Sequence, residues 1–125
     1  MKKMIFAMVA LLHLLTGCSK DEDNALDLYQ TIWDGMLIAY DASEENSEVT
    51  ETFVLEFLSE TEGLCALQDL NVIQPFSYTL TESILSIRGS MAVYGDWYIV
   101  SHSRDEITLQ AYQPYKMVIK LKRIY

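Results

Sequence analysis

Tyr115-Lys116-Met117-Val118-Ile119-Lys120-Leu121-Lys122-Arg123-Ile124 stands next to the last residue, Tyr125, and its alternation decides the fold. Met117, Ile119 and Leu121 fall on one side of an extended strand while Lys116, Lys120 and Lys122 fall on the other, the period of two that a half-buried strand requires. The same period recurs upstream. Leu85 and Ile87 are set against Ser86 and Arg88, and Phe76, Tyr78 and Leu80 against Ser77, Thr79 and Thr81. Phe53, Leu55 and Phe57 share a side, with Thr52 and Glu56 opposite. From Thr31 onward no segment sustains a 3.6-residue apolar period, whereas β-branched and aromatic runs return at short intervals between turn signals.

That spacing predicts strands over Thr31–Tyr40, Thr50–Leu58, Gly63–Gln68, Pro75–Thr81, Ile84–Gly89, Asp96–Ser103, Ile107–Gln113 and Tyr115–Ile124. Thr81-Glu82-Ser83, Tyr94-Gly95, Arg104-Asp105-Glu106 and Pro114 are connections short enough for hairpins. Only Asp41 to Val49 (DASEENSEV) reads as a long polar loop, where a lid or a contact sits most readily; a merely solvated acidic loop is the plainer reading. Its carboxylates do not match a calcium loop, which needs oxygens at alternate positions and a central glycine. Successive antiparallel strands of this number can close on themselves, and closure removes exposed edges. The expected fold is therefore all-β: a small up-and-down antiparallel eight-stranded barrel with a filled or narrow interior.

The 125-residue chain begins differently. Lys2 and Lys3 precede an apolar run, Met4 to Leu15, that is too short to span a bilayer as a helix of about 20 residues. The run has the length of a secretory signal. Residues 1–17 are expected to be cleaved, 18–30 to form a flexible acidic tether with at most a turn of helix around Ala25 to Gln30, and 31–125 to form the one folded domain. Loss of Lys2 and Lys3 takes the formal charge from −9 to 9 − 2 − 18 = −11. So acidic a body repels phosphate backbones, which argues against nucleic acid as a partner.

Leu15-Thr16-Gly17-Cys18 resembles the bacterial lipobox, and the resemblance implies that Cys18 carries a diacylglycerol anchor. Lys20-Asp21-Glu22-Asp23 resembles the export signal that sends Bacteroidetes lipoproteins to the outer face of the outer membrane. Two or three acyl chains anchor a protein durably where one does not. Within the body, Trp33-Asp34-Gly35, Gly95-Asp96-Trp97-Tyr98-Ile99-Val100, Leu109 to Tyr115 and Lys120-Leu121-Lys122-Arg123 resemble the small lipocalin-like lipoproteins of the same bacteria. In the wider calycin group a tryptophan opening the first strand is covered by an arginine ending the last. Carried over, that is a structural latch of Arg123 on Trp33, a contact of about 0.5 to 2 kcal/mol.

Little in the body looks catalytic. His102 and Cys65 are its one histidine and its one cysteine besides Cys18. They cannot make a four-ligand zinc site, and with Cys18 acylated no internal disulfide is available. Glu60 and Glu62, or Asp105 and Glu106, fall in turns where acids serve solubility. No phosphate loop, nucleophile elbow or HExxH motif occurs, so neither an enzyme nor a cofactor is expected. Aromatic residues stand out instead. Tyr94, Trp97, Tyr98, Tyr112, Tyr115 and Tyr125 crowd the C-terminal half, and Trp97, Tyr98, Tyr112 and Tyr115 are the expected contacts to a small apolar ligand, a glycan or a protein. The same rings could equally fill a core. Two further readings stay open: an accessory subunit of an outer-membrane complex, or a hydrolase inhibitor presenting Glu44, Glu45 and Glu48.

Overall fold

Alternation of apolar and polar side chains becomes a closed wall of strands in the computed structural model, which describes residues 26–112 and 115–125. The strands are β1 (Thr31–Tyr40), β2 (Ser47–Phe57), β3 (Glu62–Leu67), β4 (Val72–Leu80), β5 (Ile84–Arg88), β6 (Gly95–His102), β7 (Glu106–Ala111) and β8 (Met117–Arg123). Each pairs antiparallel with the next, and β8 returns to β1 from Trp33↔Arg123 to Ala39↔Met117. The molecule is thus an up-and-down eight-stranded antiparallel barrel of lipocalin-like architecture, as the alternation predicts. The expected leader, the acylated Cys18 and the export signal Lys20 to Asp23 lie outside the described residues.

Two strands start three residues earlier than expected. β2 takes in Ser47, Glu48 and Val49, because a bulge at Thr50 lets Leu37 face Glu51 while Ile38 faces Val49. This shortens the long Asp41–Val49 loop to a turn over residues 41–46. β4 takes in Val72, Ile73 and Gln74, which pair with Leu67, Ala66 and Cys65. A second bulge, at Val100, separates the pairs Ile99↔Leu109 and Ser101↔Thr108. Bulges of this kind bend and coil a strand, as a small barrel needs.

The interior is side chain. Trp33, Trp97, Phe53, Phe57, Leu55 and Ile119 are among its fully buried members, and Phe57, Phe76 and Tyr78 meet edge to face. Room for the rings comes from two inward glycines. A Cβ at Gly35 would run into the Phe53 ring, and one at Gly63 would lie 2.5 Å from both Phe76 and the Glu56 carbonyl. Each glycine stands opposite its aromatic across the strands, so the ring occupies the space that a side chain would have taken.

The two ends differ. At the entry end the chain arrives at β1, and the turns at Leu58 to Thr61, Thr81 to Ser83 and Ser103 to Asp105 lie beside the C-terminal Ile124 and Tyr125. Leu28 is buried there and Leu26 packs on the core, so the folded body begins ahead of the expected Thr31 boundary. Residues 26–30 form a turn and no helix, with Gln30 at φ 58°. At the far end the β5–β6 connection folds inward. Val93 is fully buried, Gln74 Oε1 accepts hydrogen bonds from Ser90 Oγ and the Met91 amide, and Trp97 Nε1 donates to the Val93 carbonyl at 2.9 Å.

Candidate functional surface

Of the four expected contact residues, three reach the surface and one does not. Trp97 is 1% exposed, its indole fixed in the core beneath Val93. It is a packing residue, which corrects its assignment as a contact. Strand alternation sends its neighbour Tyr98 outward, and Tyr98, Tyr112 and Tyr115 are each more than half exposed.

The register shows how these rings are placed. Tyr98 stands opposite Gln110, Gln110 opposite Val118, Val118 opposite Ile38, and Ile38 opposite Val49. That lateral row runs over the outer wall of β6, β7, β8, β1 and β2. Val118 is only 6% exposed although its strand neighbours Met117 and Ile119 take the inward positions, so the outer wall holds a buried apolar point of its own. Tyr112 Oη accepts a hydrogen bond from Gln110 Nε2 and so is tied to the row. Tyr40 joins from the end of β1, where its amide donates to the Lys116 carbonyl and the Lys116 ammonium lies 4.7 Å from its ring centroid. Tyr115 directly precedes Lys116 at the same corner of the far end.

Below this corner, towards the entry end, the outer wall carries an open groove of about 490 Å³ whose lining includes Asp34, Met36, Glu106, Thr108, Lys120 and Lys122. Cross-strand pairing sets Lys122 between Asp34 and Glu106, and Lys120 between Met36 and Thr108. The wall is therefore apolar and aromatic at the far end and charged with both signs lower down.

Comparison with models of known protein families, with curated protein sequences and with solved structures finds no match.

His102 is exposed at the end of β6. Cys65 is buried, and burial pushes its thiol up from the ordinary range, the direction that keeps it protonated and unreactive at neutral pH. Among the described residues no group of three His, Cys, Asp or Glu side chains is placed to hold a metal ion, and no helix is long and apolar enough to cross a membrane. The structure brings Trp33 and Arg123 together at the barrel seam, with the guanidinium carbon 5.8 Å from the ring centroid. Arg123 also donates to the carbonyls of Tyr125 and Arg104.

The acidic turn that an inhibitor would present is internally bonded. Asp41 Oδ1 accepts from Ser43 Oγ and Asp41 Oδ2 from Asn46 Nδ2, each at 2.8 Å, which leaves residues 41–46 a compact hairpin turn. Sequence reasoning missed Tyr40, Ile38 and Val118 as members of the surface. Their common row depends on the β1–β8 seam, which no local stretch of sequence displays. For Trp97 the local signal is Asp96, which faces water and so sets Trp97 inward and Tyr98 outward.

Proposed function

We propose that the chain is a lipid-anchored lipoprotein of the outer membrane, facing the cell exterior, whose barrel is a non-enzymatic binding module for another protein. The observation that carries the choice of partner is the outer wall around Val118, where Tyr98, Tyr112 and Tyr115 stay more than half exposed beside an apolar point already withdrawn from water. Tyrosines around a desolvated apolar centre combine large contact area with polar tips and little side-chain entropy to lose, the composition found at the energetic centres of protein interfaces. A small apolar ligand is less well served, because the described interior is occupied by Trp33, Trp97, Phe53 and their neighbours. A glycan could stack on the same rings. The mixed charge of the groove below, Lys120 and Lys122 with Asp34 and Glu106, suits a polypeptide rim better than a neutral sugar.

The test is site-specific photocrosslinking on intact cells, with the crosslinker placed at Tyr98 or Tyr112 and, as a control, at the exposed Ile73 on β4. One constant protein adduct from positions 98 and 112, absent from position 73, is the expected result. Adducts equally frequent at all three positions, or a melting temperature raised by oligosaccharides with no adduct at all, would overturn the protein-partner reading.

A further inference from the structure

We infer that the entry end of the barrel rests on the lipid surface to which the chain is anchored; this deepens the lipoprotein reading and rests on it. Four large apolar side chains are exposed at that end: Tyr29, Leu58, Ile124 and Tyr125, the last at 73%. They are held in place. The amides of Ile124 and Tyr125 both donate to the Ile32 carbonyl, and Tyr125 and Leu58 border one shallow depression of about 280 Å³ with Gln30 and Ile32. Arg123 and Arg104, joined by a guanidinium-to-carbonyl hydrogen bond, stand next to this rim. Tyrosine and aliphatic side chains bordered by long cations are the side chains that sit at the boundary between headgroups and acyl chains.

The occupant is a bilayer because of where the chain enters. Leu28 plugs this end, and the ten residue-to-residue steps from Cys18 to Leu28 span at most about 36 Å when fully extended. An anchored barrel therefore keeps its entry end within about 36 Å of the membrane. Asp27, Glu60, Glu62, Glu82 and Asp105 lie at the same end, so its charge does not draw it to anionic lipid. The contact is apolar and weak by itself. It becomes populated because the anchor holds the rim at the high effective concentration of a short linker, in the mM range for flexible ones. The far end, with Leu70 and Met91 exposed, then points away from the lipid, and Tyr112 and Tyr115 beside it remain open to a partner.

The test uses the full chain purified from membranes with its N-terminus intact and reconstituted into phosphatidylcholine vesicles. Cysteines are introduced singly as Leu58→Cys, Tyr125→Cys, Leu70→Cys and Met91→Cys, and modification by a membrane-impermeant maleimide is timed; the buried Cys65 contributes little background. Expected are rates several-fold lower at positions 58 and 125 on vesicles than in the matching Cys18→Ala protein, with positions 70 and 91 unchanged. Equal rates at both ends, with acylated Cys18 seen by mass spectrometry, would overturn the docking alone. An unmodified Cys18 would overturn the anchor reading beneath it.

Discussion

Thr31 shows how much of the barrel seam hangs on one hydroxyl. Its Oγ1 accepts from Trp33 Nε1 at 2.7 Å and donates to the Leu28 carbonyl at 2.6 Å, and the residue is almost fully buried. Thr31→Val keeps the shape and removes the hydroxyl, leaving the Trp33 indole N–H unpaired inside the protein while the Leu28 carbonyl keeps the Thr31 amide. Such losses cost about 1 to 3 kcal/mol. Arg123→Ala removes a guanidinium exposed to water, where a cation–π contact contributes about 0.5 to 1 kcal/mol. Urea unfolding of both variants should rank Thr31→Val as the more destabilised, and the opposite ranking would mean that the arginine cover, not the buried hydroxyl, secures the indole. Only half of this was legible. Trp33 and Arg123 could be paired from their places at the two ends of a closing barrel, but Thr31 depends on which way the indole nitrogen points, and no residue pattern encodes that direction.

Among the elements, legibility failed where alternation breaks: β1 and β5 lie within one residue of their expected bounds, whereas β2 and β4 each hide three residues behind a break in pattern. Thr50 is the extra residue of a bulge and throws Val49 out of phase, and Gln74 takes an inward position to hold the β5–β6 connection. The glycines divide similarly. Gly35→Ala would press on side chains, Phe53 and Leu121, which can shift slightly, whereas Gly63→Ala would also press on the Glu56 carbonyl, which is part of the β2–β3 ladder. Overpacking of a core costs about 1 to 3 kcal/mol where side chains can adjust. Thermal melts should therefore show Gly63→Ala as the more damaging; equal losses would mean that the β2–β3 backbone yields as readily as a ring.

The hairpin between β1 and β2 has a pH dependence of known sign. Hydrogen bonds from Asn46 and Ser43 stabilise the charged form of Asp41 and lower its pKa from 3.8 to about 2. A group whose pKa is lower when folded binds its proton more readily when unfolded, so its contribution is complete above the ordinary carboxylate range and is lost as pH falls from about 4 to about 2. Carboxyl NMR titration should place the Asp41 midpoint near the lower value, and Asn46→Ala should return it most of the way to normal. A midpoint unaltered by that substitution would remove Asn46 as the cause.

At the scale of the whole molecule the charges are unevenly spread. The chain carries a formal charge of −9, while Lys116, Lys120, Lys122 and Arg123 lie on or beside β8 and Arg104 lies in the neighbouring β6–β7 turn. Among the described residues the salt bridge is Arg88–Asp96, which has half-exposed partners and so adds little to stability. The acids of β2 and of the turns therefore mostly face one another through water, and this repulsion opposes the compact state. Raising the ionic strength from about 0.01 to about 0.15 M shortens the screening length from about 30 to about 8 Å, enough to weaken repulsion between loops while leaving the core unaffected. The urea midpoint of the folded chain should rise with sodium chloride over that range. A midpoint that falls instead would show attraction dominating, and the row Asp34, Lys122 and Glu106 across the seam is where that attraction would reside. Lys122→Gln should then abolish the fall, since among the described residues Lys122 is the cation that the register sets between two acids.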